Sequence, residues 1–311
     1  MEQNVFAIRE GAEEETEATL QTNVQAVMED LQQLILNGDQ PLGIGTGYKI
    51  LDSMSGGLKG GEMFVVAARP SMGKTSFMMN IVEDICLTQD LPTMVFSCEM
   101  TSKQIVQRLL FARARFEIVK LKTGKPSKDD LRKIKAAAEE VAAAKLFIDD
   151  TAGISVSELR AKARRKKKDE DIQLIAIDYL QLMRSTSKQA QNSREREIAE
   201  ISAGLKGLAK ELNVPILVLA QLNRGPESRT GGAPRMSDLR ESGSIEQDAD
   251  MVGLLYRSAY YADSEEERQE ADGVAALNLA KNRNGATGEI PLTFIKGLMR
   301  FENSERRIED N

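Results

Sequence analysis

From position 63 onward, short apolar runs alternate with longer stretches whose apolar residues recur at helical spacing. Residues 63–67, 93–97, 146–148, 174–177, 216–220 and 251–256 are near-continuously apolar, the pattern of strands buried on both faces. Between them, 76–87, 102–115, 129–144, 156–168 and 194–212 carry helical periodicity, and 76–87 reads as amphipathic. This alternation predicts an α/β fold, a mostly parallel central sheet with helices on both faces. Three late segments, 275–280, 290–294 and 299–301, follow one another too closely for crossover helices and predict an antiparallel C-terminal extension. There is no internal repeat.

The first forty residues differ from this body. Residues 1–20 are polar and acidic, with Glu13, Glu14 and Glu15 among them, and read as a flexible lead-in. Within 21–40, Val24, Val27, Met28, Leu31, Leu34 and Ile35 define one apolar helical stripe, separated by Asn37-Gly38-Asp39-Gln40-Pro41 from the domain at 41–311. A tethered amphipathic helix must bury its stripe, either on its own body or on a neighbouring copy, and spacing leaves both open.

With 41% hydrophobic and 29% charged residues the composition is that of an ordinary globular protein. The net charge of −6 is unevenly placed: residues 1–40 hold one basic residue, Arg9, against nine acidic ones, leaving 41 Lys and Arg against 39 Asp and Glu in the body. A near-neutral body can focus positive potential locally, so the overall charge does not exclude nucleic acid. The chain has no histidine, which removes imidazole acid–base chemistry and histidine metal sites. Cys86 and Cys98 fall inside a predicted helix and strand without metal-ligand spacing, as buried free thiols do. No apolar run approaches the roughly 18 to 20 residues that span a bilayer, and the N-terminus lacks signal-peptide order, so a cytoplasmic protein without a membrane partner is expected.

Candidate chemistry gathers at predicted strand ends. After 63–67 comes Ala68-Arg69-Pro70-Ser71-Met72-Gly73-Lys74-Thr75, then a helix. A strand, a tight loop ending in Gly-Lys-Thr and a helix form a phosphate cradle, in which backbone N–H groups and the helix dipole face an anion. Ser71, Met72, Gly73, Lys74, Thr75 and Ser76 are the expected nucleotide-binding residues, Lys74 reaching the β- and γ-phosphates and Thr75 a Mg²⁺ ion. Ala68 occupies the position where the strict pattern has glycine. Asp178 ends an apolar strand, as a Mg²⁺-supporting carboxylate would, although such residues also cap turns. Glu99 follows the next strand in sequence and fits either a base that polarises water or a helix N-cap. Gln221 closes 216–220 and suits sensing of a γ-phosphate, ahead of a Gly- and Pro-rich segment at 223–238. Arg160, Lys162, Arg164, Arg165, Lys166, Lys167 and Lys168 form a basic run that suits nucleic acid or a solvated helix end. Lys281 and Arg283 stand at a late turn, as surface charges or as cations aimed at a neighbouring subunit's phosphates.

Taken in order, 68–75, Phe96-Ser97-Cys98-Glu99-Met100, Ile177-Asp178-Tyr179-Leu180-Gln181-Leu182-Met183, Leu219-Ala220-Gln221-Leu222-Asn223-Arg224 and the stretch from Ser237 to Asp250 resemble the motifs of the bacterial replicative DNA helicase family, the DnaB family. The resemblance covers about residues 20–302, and alanine at 68 is familiar in that family. It implies a RecA-like P-loop NTPase domain acting in a ring, usually a hexamer, that encircles single-stranded DNA and moves 5′ to 3′ at the expense of ATP with Mg²⁺. It also implies roles: Glu99 as catalytic base, Asp178 behind the metal, Gln221 coupling nucleotide state to DNA loops, and Lys281 and Arg283 reaching into the adjacent subunit's site. Arg240, Glu241 and Gly243 match the loop that contacts the DNA backbone, Glu241 necessarily through its N–H. The helix within 21–40 then resembles the linker that docks on the next subunit. The family's proteins begin with a helical domain that binds primase, and this chain starts where that domain would end, so an excised fragment is expected, with primase and a helicase loader as partners of the full-length protein. A recombinase- or clock-type RecA ATPase, or a regulatory module that binds ATP without moving, are the alternatives.

Overall fold

The computed structural model describes residues 20–37, 41–124, 126–185, 187, 193–223, 225, 233–261 and 264–304. The chain divides into two units at Leu42/Gly43. The first contributes helix α1 (Leu20–Asn37), on which Leu20, Val24, Val27 and Met28 are exposed. The acidic lead-in at 1–19 lies outside the described residues.

The second unit is built on nine strands: β1 (Met63–Ala68), β2 (Thr93–Ser97), β3 (Leu146–Asp149), β4 (Leu174–Asp178), β5 (Ile216–Gln221), β6 (Met251–Arg257), β7 (Val274–Asn282), β8 (Gly288–Ile295) and β9 (Arg300–Asn303). They form one sheet in the order β3-β2-β4-β5-β1-β6-β7-β8-β9. Pairings from β3 to β6 are parallel, and those from β6 to β9 antiparallel. Every predicted strand is present, with ends within two residues of the pattern. Strand β1, in the middle, explains why the pattern was continuous rather than alternating. Phe64, Val66 and Ala68 enter the core on one face, and Met63, Val65 and Ala67 enter a second core on the other.

Helices α2 (Lys49–Ser55), α3 (Lys74–Glu83), α4 (Ser102–Arg113), α5 (Val119–Thr123), α6 (Lys128–Ala143), α7 (Val156–Glu170), α8 (Arg194–Leu212), α9 (Gly243–Asp248) and α10 (Glu265–Glu270) connect and cover the strands. Helices α4, α6 and α7 start at Thr101, Ser127 and Ser155, each in a capping box with the residue three positions on. The unforeseen helices α2, α5, α9 and α10 are one or two turns long, too short to establish a period.

Helix α3 departs from expectation. Instead of one buried stripe, it buries every residue from Ser76 to Glu83, and it ends in a π-helical turn at Asp84–Thr88. Strand residues of the sheet, Tyr48 ahead of α2 and Phe301 of β9 share one apolar cluster with it. Phe77 stacks on Tyr48 at 4.8 Å and meets Phe301 edge-on at 5.7 Å, while Asn80 Oδ1 accepts the Phe301 N–H at 2.8 Å. Glu83, 2% exposed, is neutralised by Arg300 at 2.6 Å and Arg113 at 3.6 Å. A charge this deep requires such partners. Through these contacts the last strand fixes the helix that begins at the phosphate loop.

Candidate nucleotide site

The loop between β1 and α3 is shaped by two positive φ angles, 66° at Ser71 and 94° at Gly73. At Gly73 only glycine fits for a second reason, because a Cβ there would stand 2.9 Å from Cε2 of Phe301. Gly73 is also the N-cap of α3 and offers no side chain to its first turn, which leaves the amide donors there uncapped. Ala68 belongs to the strand, paired with Gln221 and wholly buried, and its φ is not positive. The turn therefore starts one residue later than the strict glycine pattern assumes, and alanine costs nothing. Arg69, 9% exposed, anchors the loop by donating to the Leu222 carbonyl at 2.9 Å.

Above the loop lies a cleft of about 380 Å³ lined by Ser71, Gly73, Lys74, Thr75 and Ser76, with Glu99, Arg108, Tyr179, Gln221 and Arg257 around it. Met72 is not among the lining groups. Its side chain is packed in the core, and its N–H turns back toward the Arg69 carbonyl at 3.4 Å. Beneath the cleft the Thr75 hydroxyl donates to Asp178 Oδ2 at 2.7 Å. Asp178 is 1% exposed, and its Oδ1 is buried without a hydrogen-bond partner. It therefore serves the loop, not the turn after its own strand.

Electrostatics follow from this burial. Desolvation pushes the Lys74 ammonium below the usual lysine range, opposed by Asp178 and Glu99. Its Nζ lies 4.7 Å from the Tyr179 ring centroid. Desolvation likewise raises Asp178 above the ordinary carboxylate range, opposed by the Thr75 hydroxyl and by Lys74. A half-compensated ammonium, uncapped amides and an orphan carboxylate oxygen form a site whose electrostatics improve when a phosphate and a divalent cation enter. Because its folded pKa is raised, Asp178 opposes folding while charged, an effect relieved as pH falls through that pKa. Asp178→Asn is therefore expected to raise the melting temperature at neutral pH, which thermal melts of the two proteins check.

Glu99 sits on the turn after β2, where Ser97 Oγ donates to the Met100 carbonyl at 2.7 Å and accepts the Met100 N–H at 3.1 Å. The N-cap of the following helix is Thr101. The capping role is thus filled by another residue, and Glu99 faces the cleft. Arg257, at the end of β6, was not singled out by spacing. Its guanidinium lies 4.1 Å from the Phe294 ring centroid and donates to the Ser71 carbonyl at 3.4 Å. The available signal was a cation closing an apolar strand. Arg108 and Tyr179 were likewise missed, Arg108 because only packing of α4 aims it here.

Lys281 and Arg283 are not in this cleft. Lys281 pairs with Val252, near the start of β6, and Arg283 N–H donates to the Asp250 carbonyl at 2.9 Å. Asp250 in turn bonds Met63, the first residue of β1. Both cations thus stand at the opposite end of β1 from the phosphate loop, roughly 16 Å of strand away. Lys281 Nζ donates to the carbonyls of Glu246 at 2.6 Å and Ala249 at 2.7 Å, and Arg283 bonds Asp250 Oδ1 at 3.3 Å and the Gln247 carbonyl.

Arg240 and Glu241 lie in a 3-10 segment, Met236–Ser242, and their side chains fall outside the described residues. Gly243 opens α9, and a Cβ there would meet nothing within 4 Å. Of the Gly- and Pro-rich loop, 224 and 226–232 also fall outside. The basic run is largely occupied: Arg160 and Arg164 pair with Glu211 of α8, Lys162 with Asp149, and Lys167 with Asp171. This supports the solvated, structural alternative for it. Cys86 and Cys98 are free, Cys86 buried and Cys98 partly so. Burial pushes the thiols up to about 12 and about 11, which makes both poor nucleophiles. Among the described residues no cluster of three or more His, Cys, Asp or Glu could hold a metal, and no helix is long and apolar enough to cross a membrane.

The replicative DNA helicase DnaC of Bacillus subtilis (strain 168) is 42% identical over 282 residues, covering 91% of this chain and 61% of that protein. The replicative DNA helicase DnaB of Geobacillus stearothermophilus is 42% identical over 268 residues, 86% of this chain and 58% of that one. The chain thus spans about three fifths of the curated relatives it matches. Among solved structures, one ATPase domain superposes with a TM-score of 0.82 at 34% identity, covering 90% of this chain and 98% of that one. A DnaB-like replicative helicase studied for its interactions with primase gives 0.79 at 33% identity, covering 90% and 66%. The fold is accordingly the mostly parallel α/β architecture of such ATPase domains, antiparallel extension included. The model of the DnaB-like helicase C-terminal domain matches residues 43–303, nearly the whole of the second unit, and the chain belongs to that family.

Proposed function

We propose that this chain is the ATP-driven motor domain of a ring-shaped replicative helicase, which moves 5′ to 3′ on single-stranded DNA and opens the duplex at the fork. The observation that carries it is the Thr75–Asp178 pair beneath the Gly-Lys-Thr loop, with an Asp178 oxygen left without a partner and Glu99 lining the same cleft. Backbone N–H groups at the start of α3 and the Lys74 ammonium bind the phosphates of ATP. Thr75 and Asp178 would hold Mg²⁺, which when bound would supply positive charge against that of the phosphates. Glu99 accepts a proton from the attacking water, and Gln221 faces the γ-phosphate and registers its loss.

Lys281 and Arg283 are too far from this cleft to serve it, so they act on the cleft of the next copy in a ring, a hexamer by family likeness. α1 ties the ring together by laying its exposed apolar side chains on that neighbour. Arg240, Glu241 and Gly243 hold the DNA backbone, which requires no base recognition. Primase and a helicase loader are further partners by family likeness, and work at the fork puts the protein in the cytoplasm.

ATP hydrolysis with and without single-stranded DNA, alongside light-scattering mass with a non-hydrolysable ATP analogue, tests this. DNA-stimulated turnover by a particle near six copies is expected. Turnover indifferent to DNA, from a species that never self-associates, would overturn it.

A further inference from the structure

At the carboxyl edge of the sheet, a side chain completes a ladder that the backbone leaves unfinished. Pairing between β4 and β5 runs Ile175↔Ile216, Ala176↔Leu217 and Ile177↔Val218 and then stops, because the chain leaves β4 after Asp178 for a short 3-10 turn, Leu180–Leu182. In β5, Ile216 and Leu222 direct their N–H groups at β1. By the alternation of a parallel ladder, Gln221 directs its N–H and C=O the other way, toward a position where β4 no longer runs. The carboxamide of Gln181 fills that position. Its Oε1 accepts the Gln221 N–H at 3.1 Å, and its Nε2 donates to the Gln221 carbonyl at 3.1 Å. One primary amide replaces one missing peptide group, donor and acceptor both satisfied.

Gln221 is the residue of β5 whose side chain lines the nucleotide cleft. Gln181 is three residues beyond Asp178 and is itself held from behind: its carbonyl accepts Arg194 of α8, which also pairs with Glu197, and Glu197 Oε1 accepts the Ser185 N–H at 3.1 Å. The strand that ends in Asp178, the cleft-lining residue of β5 and the start of α8 therefore meet at one residue, Gln221 through the Gln181 carboxamide and Arg194 through the Gln181 main-chain carbonyl.

We propose that Gln181 is a positioning residue for ATP hydrolysis, fixing Gln221 at the cleft and carrying its displacement to α8. This rests on the role of Gln221 proposed above. The test uses the full chain with Gln181→Met, which keeps length without polar atoms, and Gln181→Glu, which keeps shape but sets an oxygen against the Gln221 carbonyl. Gln181→Met is expected to lower DNA-stimulated kcat about tenfold, with KM for ATP within about twofold, because two part-buried backbone groups lose their partners.

A merely structural role would not produce the second signature. Protonation gives Gln181→Glu the donor it lacks, so its kcat relative to the parent protein should rise as pH is lowered from about 8 toward 5. Arg69, Arg194, Asp238 and Tyr179 line the same cleft as Gln181, with Glu197 behind Arg194. Partial burial and the facing Gln221 carbonyl oxygen disfavour the charged form and lift the introduced carboxyl above its ordinary value of about 4.3 into this range, while the two nearby cations hold the rise to its acidic end. Parent-like kcat in Gln181→Met, or a pH-independent ratio in Gln181→Glu, overturns the proposal. Gln221→Ala separates the two levels. If it loses DNA stimulation while both Gln181 variants behave as the parent, the role of Gln221 stands and that of Gln181 falls. If Gln221→Ala keeps full stimulation while Gln181→Met loses it, Gln181 acts by some route other than Gln221.

Discussion

Glu99→Gln is expected to bind ATP and to assemble as the parent protein does, yet to hydrolyse ATP about 10²- to 10⁴-fold more slowly, the usual contribution of a positioned general base. The turn that carries residue 99 is built by Ser97 and Met100, and the helix after it is capped by Thr101 and Gln104, so neither depends on the Glu99 side chain. Amide for carboxylate also leaves the volume of the cleft unchanged. What disappears is the proposed proton acceptor and one of the two negative groups, with Asp178, that sustain the charge on Lys74. Phosphate supplies that second function itself on binding. Single-turnover hydrolysis and titration with a fluorescent ATP analogue make the measurement. Normal turnover would remove Glu99 as base and leave Asp178 as the remaining carboxylate at the site.

The second large effect is complementation between two inactive proteins. Lys74→Ala lacks the ammonium proposed to bind phosphate, and Arg283→Ala lacks the cation at the far end of β1. Each alone is expected to fall by about 10³-fold or more, the scale of an arginine-finger deletion. Mixed in equal amounts, an intact cleft meets an intact Arg283 at about one interface in four, so hydrolysis should recover to about a quarter of the parent rate if sites fire independently. The geometry makes the Arg283 variant a fair test. Asp250, 6% exposed, keeps Lys206 at 2.6 Å and the Met63 N–H at 2.7 Å when Arg283 is gone, so no buried charge is stranded. A turnover assay across mixing ratios reads the result. No recovery at any ratio would mean that Arg283 serves its own chain, through α9 and Asp250.

Both effects turn on residues that stand out in the sequence, while their surroundings are set by packing. The Gly-Lys-Thr loop, the strand-end Asp178 and the cleft-facing Glu99 were legible because each stands at the boundary of an apolar run, and such boundaries collect at one sheet edge in parallel α/β folds. Arg257 and Arg108 were not legible. They reach the cleft from β6 and α4, and only the strand order, with β6 beside β1, brings Arg257 over Phe294. The basic run from Arg160 to Lys168 gave a strong local signal that packing largely absorbed, since Glu211 on α8 takes up two of its cations.

Fold class, strand positions and the place of the Gly-Lys-Thr loop between a strand and a helix could be read from the order of residues alone. They depend on hydrophobic periodicity and on near neighbours in the chain, which are local properties. Which distant residues share a site emerged only from packing. It placed Lys281 and Arg283 at the wrong end of the sheet for their own cleft, and it buried α3 on all sides beneath Tyr48 and Phe301. It also lent Gln181 to the backbone of Gln221, forty residues away in the chain. Such pairings arise from strand order and register, and no window of sequence contains them.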